Sequence, residues 1–354
     1  MSKFLSPKYS SLVPYTPGEQ PKAMKYIKLN TNESPFPPSK KAQEMAKETL
    51  NTLQLYSDPE VKALKRSLAD TFGVSEDEVL PTNGSDEILN FAFMAFCDKN
   101  KGAAFPDISY GFYPVFAEIN NVPYTKIPLK EDFTIDITDY FNLHKTIFIA
   151  NPNAPTGITL SLSQIREILE HNRDSVVVID EAYVDFGAES CVPLIHEYDN
   201  LLVTQTFSKS RSMAGARLGF GIGCKELIED LNAIKYSTNP YNVNAVTMAM
   251  GVGALSDEQY TKDNCKTIIE NREWLKKELE KLDFEYTPSL SNFVFAKHKS
   301  ASGEQLYLAL KQKGILVRHF SAPRISEYLR ITIGTLDDMK TLVKTLKEIL
   351  EELK

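Results

Sequence analysis

Four apolar runs limit what this chain can fold into: GAAFP (102–106), KTIFIANP (145–152), SVVVID (175–180) and NLLVTQTF (200–207). Each is short, β-branched and free of polar alternation, the pattern of strands covered on both faces. Helical segments lie between them, and SLSQIREILEH opens with a capping box, Ser161 with Gln164. Buried strands alternating with helices predict an open α/β sheet, mostly parallel between layers of helices. Ligands of such sheets sit beyond the carboxyl ends of the strands.

With 354 residues the chain has room for that domain and a smaller one. Residues 1–35, rich in Pro, Lys and Tyr, read as an extended N-terminal arm. Residues 36–255 form the large domain. It begins with a helix carrying Ala42, Met45, Ala46, Leu50 and Leu53 at helical spacing. A second helix, DPEVKALKRSLADTFG, has Asp58 as cap, Pro59 at the first position and Gly73 as stop. After a helical stretch near 243–282, NFVFAKH, GILVRHF and YLRITIGT read as strands separated by helices, and the chain ends in an amphipathic helix. Residues 256–354 are thus a small α+β domain, expected to pack with the arm.

A formal charge of −7 gives no reason to expect nucleic acid or an anionic membrane as partner, so any anion site must be built locally. No apolar run approaches the roughly 18 residues of a membrane helix, and the N-terminal stretch has no signal-peptide pattern. Cys97, Cys191, Cys224 and Cys265 are scattered without a C-x-x-C pair, which disfavours a disulfide framework or structural zinc and fits a cytoplasmic location.

Chemistry concentrates at the strand ends. SVVVIDEAYVDF runs into Asp180, with Tyr183 three residues later, and the next strand ends in Thr206, Ser208 and Lys209. A buried acid is costly unless it meets a cation or donor. Taken singly, Asp180 reads equally as a helix cap and Lys209 as a surface lysine. TNGSDEIL starts a helix at Gly84 and Ser85, where free N–H groups and the helix dipole favour an anion. Thr206 and Ser208 add hydroxyls, and Arg217 adds a guanidinium suited to phosphate. A lysine, a phosphate cradle and a carboxylate are what pyridoxal 5'-phosphate needs: an amine for its aldehyde, donors for its phosphate and a partner for its ring nitrogen. Asp180 would keep the ring protonated, Tyr183 would bond its 3'-oxygen, and Lys209 would move the proton.

The order LNTNESP, YSDPE, TNGSDEIL, NPNAPTG, VVVIDEAYVDF, TFSK with Arg217 eight residues on, and LRITIGT resembles the fold-type I pyridoxal-phosphate aminotransferases over nearly the whole chain. Within them it is most similar to the histidinol-phosphate aminotransferase branch. The resemblance implies Lys209 as the Schiff-base lysine and Asp180 and Tyr183 on the ring. Ser85, Asp86, Thr206, Ser208 and Arg217 surround the phosphate, and Tyr110 stacks on the ring. Tyr56 is offered to the partner subunit's phosphate, which implies a homodimer. Arg330 takes a substrate α-carboxylate, and Arg318 and Tyr15 help bind the substrate phosphate. Asn32 reads as lining the substrate pocket or as an ordinary turn residue. Tyr15 and Tyr56 also fit surface aromatics, and Arg318 a solvated strand end. Arg211 and His319 have no assignable role.

One position departs from the family pattern. The Asn usual before Pro-Thr-Gly, which bonds the 3'-oxygen, is Ala154 here, preceded by Asn153. Either Tyr183 holds that oxygen alone, or Asn153 or a water substitutes; Ala154–Pro155 is a candidate cis peptide. The implied activity is amino transfer from L-histidinol phosphate to 2-oxoglutarate, giving glutamate. A broad or aromatic aminotransferase, a threonine-phosphate decarboxylase and a non-catalytic regulator are the alternatives.

Overall fold

The computed structural model describes residues 2–10, 12–21 and 24–353. Strand β1 (Ile27–Leu29) stands apart from the seven that follow: β2 (Val79–Thr82), β3 (Ala103–Pro106), β4 (Tyr124–Ile127), β5 (Thr146–Ala150), β6 (Val177–Asp180), β7 (Leu201–Thr206) and β8 (Gly219–Gly223). These seven form one sheet in the order β2-β8-β7-β6-β5-β3-β4, parallel except for β8, which runs against both its neighbours. The unalternating runs have a direct cause. Ile147, Ile149, Val177, Ile179 and Val203 bury on one face of the sheet, and Phe148, Val178 and Leu202 on the other. Phe148 stacks on Phe93 at 4.0 Å between ring centres. Each such side chain contributes about 1.5–3 kcal/mol on full burial, which favours apolar residues on both faces.

The remaining strands, β9 (Phe284–Tyr286), β10 (Phe293–His298), β11 (Ile315–His319) and β12 (Tyr328–Thr332), form a second sheet in the order β1-β11-β12-β10-β9. The arm therefore enters this sheet as a strand, with Ile27 paired to Ile315 in parallel register. A loop, rather than a helix, joins β11 to β12.

Among the described residues ten α-helices cover the sheets: α1 (Lys40–Thr49), α2 (Lys62–Phe72), α3 (Ser85–Phe96), α4 (Tyr113–Ile119), α5 (Leu162–Glu170), α6 (Lys225–Thr238), α7 (Ala245–Leu255), α8 (Glu258–Glu280), α9 (Gly303–Gln312) and α10 (Leu336–Glu352). The capping box of α5 forms as expected, Ser161 accepting from the Gln164 amide. Two helix starts and stops differ from the sequence reading. Val61 adopts a left-handed φ of 54°, so α2 begins at Lys62 and Pro59 lies outside it. Asp58 still caps, accepting from the Glu60 and Lys62 amides, both at 3.0 Å. Helix α1 ends at Thr49, and Leu50 and Leu53 are 55% and 51% exposed instead of buried, because nothing within this chain covers them. No helix of the described residues is long and apolar enough to cross a membrane.

Candidate active site

The strand register sets the site. Ala150, Asp180 and Thr204 lie side by side on β5, β6 and β7, and β7 continues two residues to Thr206 on the same rim. The cavity there is about 260 Å³. Ser85, Asp86, Tyr110, Asp180, Tyr183, Thr206, Ser208, Lys209 and Arg217 all line it, with Ala154, Thr31 and Glu33.

At one end lies a ring of donors. Thr206 and Ser208 are buried, their hydroxyls 2.9 Å apart, and Thr206 Oγ1 also accepts from the Ser208 amide at 3.1 Å. Arg217, itself left-handed with φ 55°, reaches toward Ser208 and pairs with Asp86 at 2.9 Å. Gly84 precedes α3, and Ser85 supplies its first free N–H. This end is built around two glycines. A Cβ on Gly84 would stand 2.6 Å from Arg217 Nη2, and one on Gly219 would stand 2.3 Å from the Ser85 amide nitrogen. Only bare backbone leaves a concavity facing the arginine.

At the other end Asp180 is 4% exposed. Its carboxylate accepts from Tyr113 Oη at 3.1 Å and from the Ala182 amide at 3.2 Å. Burial nevertheless raises its pKa from 3.8 to about 6, because those donors and Lys209 offset only part of the desolvation. Lys209 Nζ donates to the Thr31 carbonyl at 3.4 Å and stands 5.7 Å from the Tyr183 ring centre. Tyr110 donates to Asp86 at 2.6 Å, and burial pushes its hydroxyl well above the usual tyrosine range.

Outside the cavity, β11 and β12 place Arg318 and Arg330 opposite one another in register. Neither has a carboxylate partner among the described residues: Arg318 contacts the Thr16 and Pro17 carbonyls and Arg330 the Asn30 carbonyl. Arg330 Nε is buried with no partner, and burial lowers the guanidinium's pKa, with Arg318 adding to the effect. An anion entering between them would satisfy both. Tyr15 stacks on Phe112 at 4.2 Å, which brings the arm over this entrance.

The structure narrows two readings that the sequence leaves open, for Asn153 and Asn32, and leaves that of Tyr56 unchanged. Asn153 does not reach the cavity. Its amide donates to the Ile108 carbonyl and Thr156 Oγ1, its oxygen accepts from Ser109, and it faces a separate crevice. From this turn only Ala154, whose bond to Pro155 is cis, lines the cavity. Asn32 is no ordinary turn residue: it is 1% exposed and donates to Tyr183 Oη at 2.9 Å. Tyr56 is 84% exposed and stacks on Tyr241, away from its own chain's cavity.

The sequence reading passed over Tyr113, which orients Asp180, and Glu33, which lines the cavity with its carboxylate held by Lys28 and Thr31. Tyr113 shares SYGFY with Tyr110, but only the tertiary fold shows which ring points where. Arg211 acquires a role: with Ser210 it grips Asp185, tying the Lys209 loop to the turn after Tyr183. His319 bonds the Ser326 carbonyl at 2.8 Å and closes the β11–β12 loop.

Comparison with known proteins adds the following. Residues 24–346 match the family model described as aminotransferase class I and II. A histidinol-phosphate aminotransferase of Brachyspira hyodysenteriae is 51% identical over 99% of this chain and 100% of its own length. One from Clostridium beijerinckii is 49% identical over 99% and 98%. Among solved structures, the histidinol-phosphate aminotransferase of Sinorhizobium meliloti in complex with pyridoxal-5'-phosphate superposes with a TM-score of 0.89 at 20% identity, covering 100% of this chain and 99% of that one.

Proposed function

This chain belongs to the class I and II aminotransferase family, and from that premise we propose that it moves the amino group of L-histidinol phosphate to 2-oxoglutarate. The residues present fit the family's pyridoxal 5'-phosphate. The Gly84–Gly219 concavity with Ser85, Thr206, Ser208 and Arg217 suits its phosphate, and a buried acid with no ion-pair partner among the described residues suits its ring nitrogen. When bound, that cofactor captures an amine through its aldehyde and withdraws the electrons released when a bond at the amine-bearing carbon breaks.

The chain's own residues divide the remaining work. Lys209 would hold the cofactor covalently and move the proton at the amine-bearing carbon. Asp180, oriented by Tyr113, would keep the ring nitrogen protonated. Tyr183 would donate to the 3'-oxygen, with Ala154 unable to assist. Tyr110 would cover the ring, and Asp86 holds Arg217 and Tyr110 in place.

The observation that carries the substrate reading is the second anion site, Arg318 with Arg330 beneath Tyr15. It is distinct from the phosphate cradle and suits a phosphate in one half-reaction and a carboxylate in the other. The names of the relatives at 49–51% identity support the same substrate. We divide the chain accordingly into an arm (1–35), a cofactor domain (36–255) and a small domain (256–354) carrying both arginines. Homodimerisation, with Tyr56 reaching the partner's phosphate, would cover the exposed Leu50, Leu53 and Tyr56. Four free cysteines support a cytoplasmic setting.

The test is a set of steady-state rates on histidinol phosphate, phenylalanine and threonine phosphate. Histidinol phosphate should give the highest kcat/KM by at least about tenfold. Release of carbon dioxide from threonine phosphate would overturn the transaminase reading, and equal rates on phenylalanine would replace the substrate.

A further inference from the structure

We propose that Asn32 is the positioning residue that fixes which way the Tyr183 hydroxyl points, making it a donor into the cavity. The proposal rests on the reading of Lys209 and Tyr183 as cofactor contacts.

Asn32 is held at every polar group. Its backbone sits at a left-handed φ of 55°. Its amide N–H donates to Thr332 Oγ1 at 2.9 Å, and its carbonyl accepts from Asn292 Nδ2 at 2.9 Å. The Thr332 hydroxyl, already accepting that N–H, spends its single proton on Asn32 Oδ1 at 3.0 Å. An amide oxygen held by a hydroxyl donor cannot exchange places with its nitrogen without losing that bond. So Nδ2 is the atom that meets Tyr183 Oη at 2.9 Å, and the phenol oxygen accepts there.

A phenol that accepts from Asn32 has its own proton free for another partner. Among the described residues Tyr183 donates to none, and its side chain lines the cavity. The proton therefore faces the place where the cofactor's 3'-oxygen would sit. Ala154 brings only a methyl group to that cavity, so no second donor stands behind the phenol if this one turns away.

The clamp also reaches the substrate strand. Thr332 and Arg330 lie two residues apart on β12, and Arg330 donates to the Asn30 carbonyl at 3.2 Å, so β12 grips the segment 30–32 twice. Removing Asn32 Nδ2 should let the hydroxyl rotate among acceptors and weaken its hold on the 3'-oxygen. A less well solvated 3'-oxygen holds its shared proton more tightly, so the pH midpoint of the cofactor's visible absorbance should rise.

The experiment is a spectrophotometric pH titration of the cofactor-loaded protein as wild type, Asn32→Ala, Tyr183→Phe and the double variant. Asn32→Ala should raise the midpoint by about half a pH unit, as expected for loss of part of one hydrogen bond. Tyr183→Phe should raise it further, and Asn32→Ala should add nothing in the Tyr183→Phe background. Thr332→Val, which releases the Asn32 oxygen and leaves its amide in place, should raise the midpoint in the same direction and serves if Asn32→Ala does not fold. An unchanged midpoint in both Asn32→Ala and Thr332→Val overturns the proposal, and so does an equal shift with and without the Tyr183 hydroxyl. If borohydride reduction of the wild type attaches no cofactor to Lys209, the cofactor reading itself fails, and this assignment with it.

Discussion

Asp180→Asn should make the cofactor-free protein more stable at neutral and alkaline pH, even though it removes a central residue of the site. Burial lifts the Asp180 carboxyl from 3.8 to about 6, so between those values the native state binds more protons than the unfolded chain. Stability is then lost as pH rises through that window, and the cost is fully present above it. Roughly two pKa units at ~1.4 kcal/mol each place that cost at about 3 kcal/mol. The neutral amide avoids it, its Oδ1 accepting from the Ala182 amide and its Nδ2 donating to the Tyr113 oxygen. Glu181, lifted by burial from 4.5 to about 7, adds a cost of the same sign in both proteins and cancels in the comparison. The assay is denaturant unfolding of cofactor-free wild type and variant at pH 8 and pH 4.5. An advantage of about 2–3 kcal/mol at pH 8 should shrink to about 1 kcal/mol at pH 4.5, where the wild-type carboxyl is largely protonated when folded. Adding pyridoxal phosphate at pH 8 should reverse the order, because a cationic ring nitrogen then rewards the carboxylate. A variant no more stable than wild type at pH 8, or equally advantaged at both pH values, would refute the reasoning.

Lys209→Ala should bind cofactor only reversibly, with no borohydride-trapped adduct, and lose turnover by several orders of magnitude; near-normal turnover would remove Lys209 from its role. Gly219→Ala places a methyl group 2.3 Å from the Ser85 amide nitrogen and should weaken cofactor binding at least about tenfold in equilibrium dialysis. Unchanged affinity would mean that the cradle lies elsewhere. Leu50→Glu puts a charge into the uncovered apolar patch beside Tyr56 and should shift sedimentation from dimer to monomer, with weaker cofactor retention. A wild type that sediments as a monomer would exclude the partner role of Tyr56.

Much of the candidate site is legible in the sequence because its polar residues stand at strand ends. Asp180, Thr206, Ser208 and Lys209 each follow an unalternating apolar run, so one inference about a doubly covered sheet brings them to a common rim. Two strands carry no such signal. Strand β8, with three glycines in five residues, lacks a strand's side chains, and β4 is a half-exposed edge. Leu50 and Leu53 carry a helical period into a surface that this chain does not cover.

By itself the sequence determined the buried central strands, the helices between them and the polar residues at their ends, because periodicity and local turn chemistry act over a few residues. Only the tertiary structure decided which side chain meets which: Asn32 rather than Asn153 bonds Tyr183, Tyr113 bonds Asp180, and Arg211 braces the Lys209 loop. Those choices depend on hydrogen bonds between residues as much as 300 positions apart, such as Asn32 with Thr332, and no local pattern records a partner at that distance.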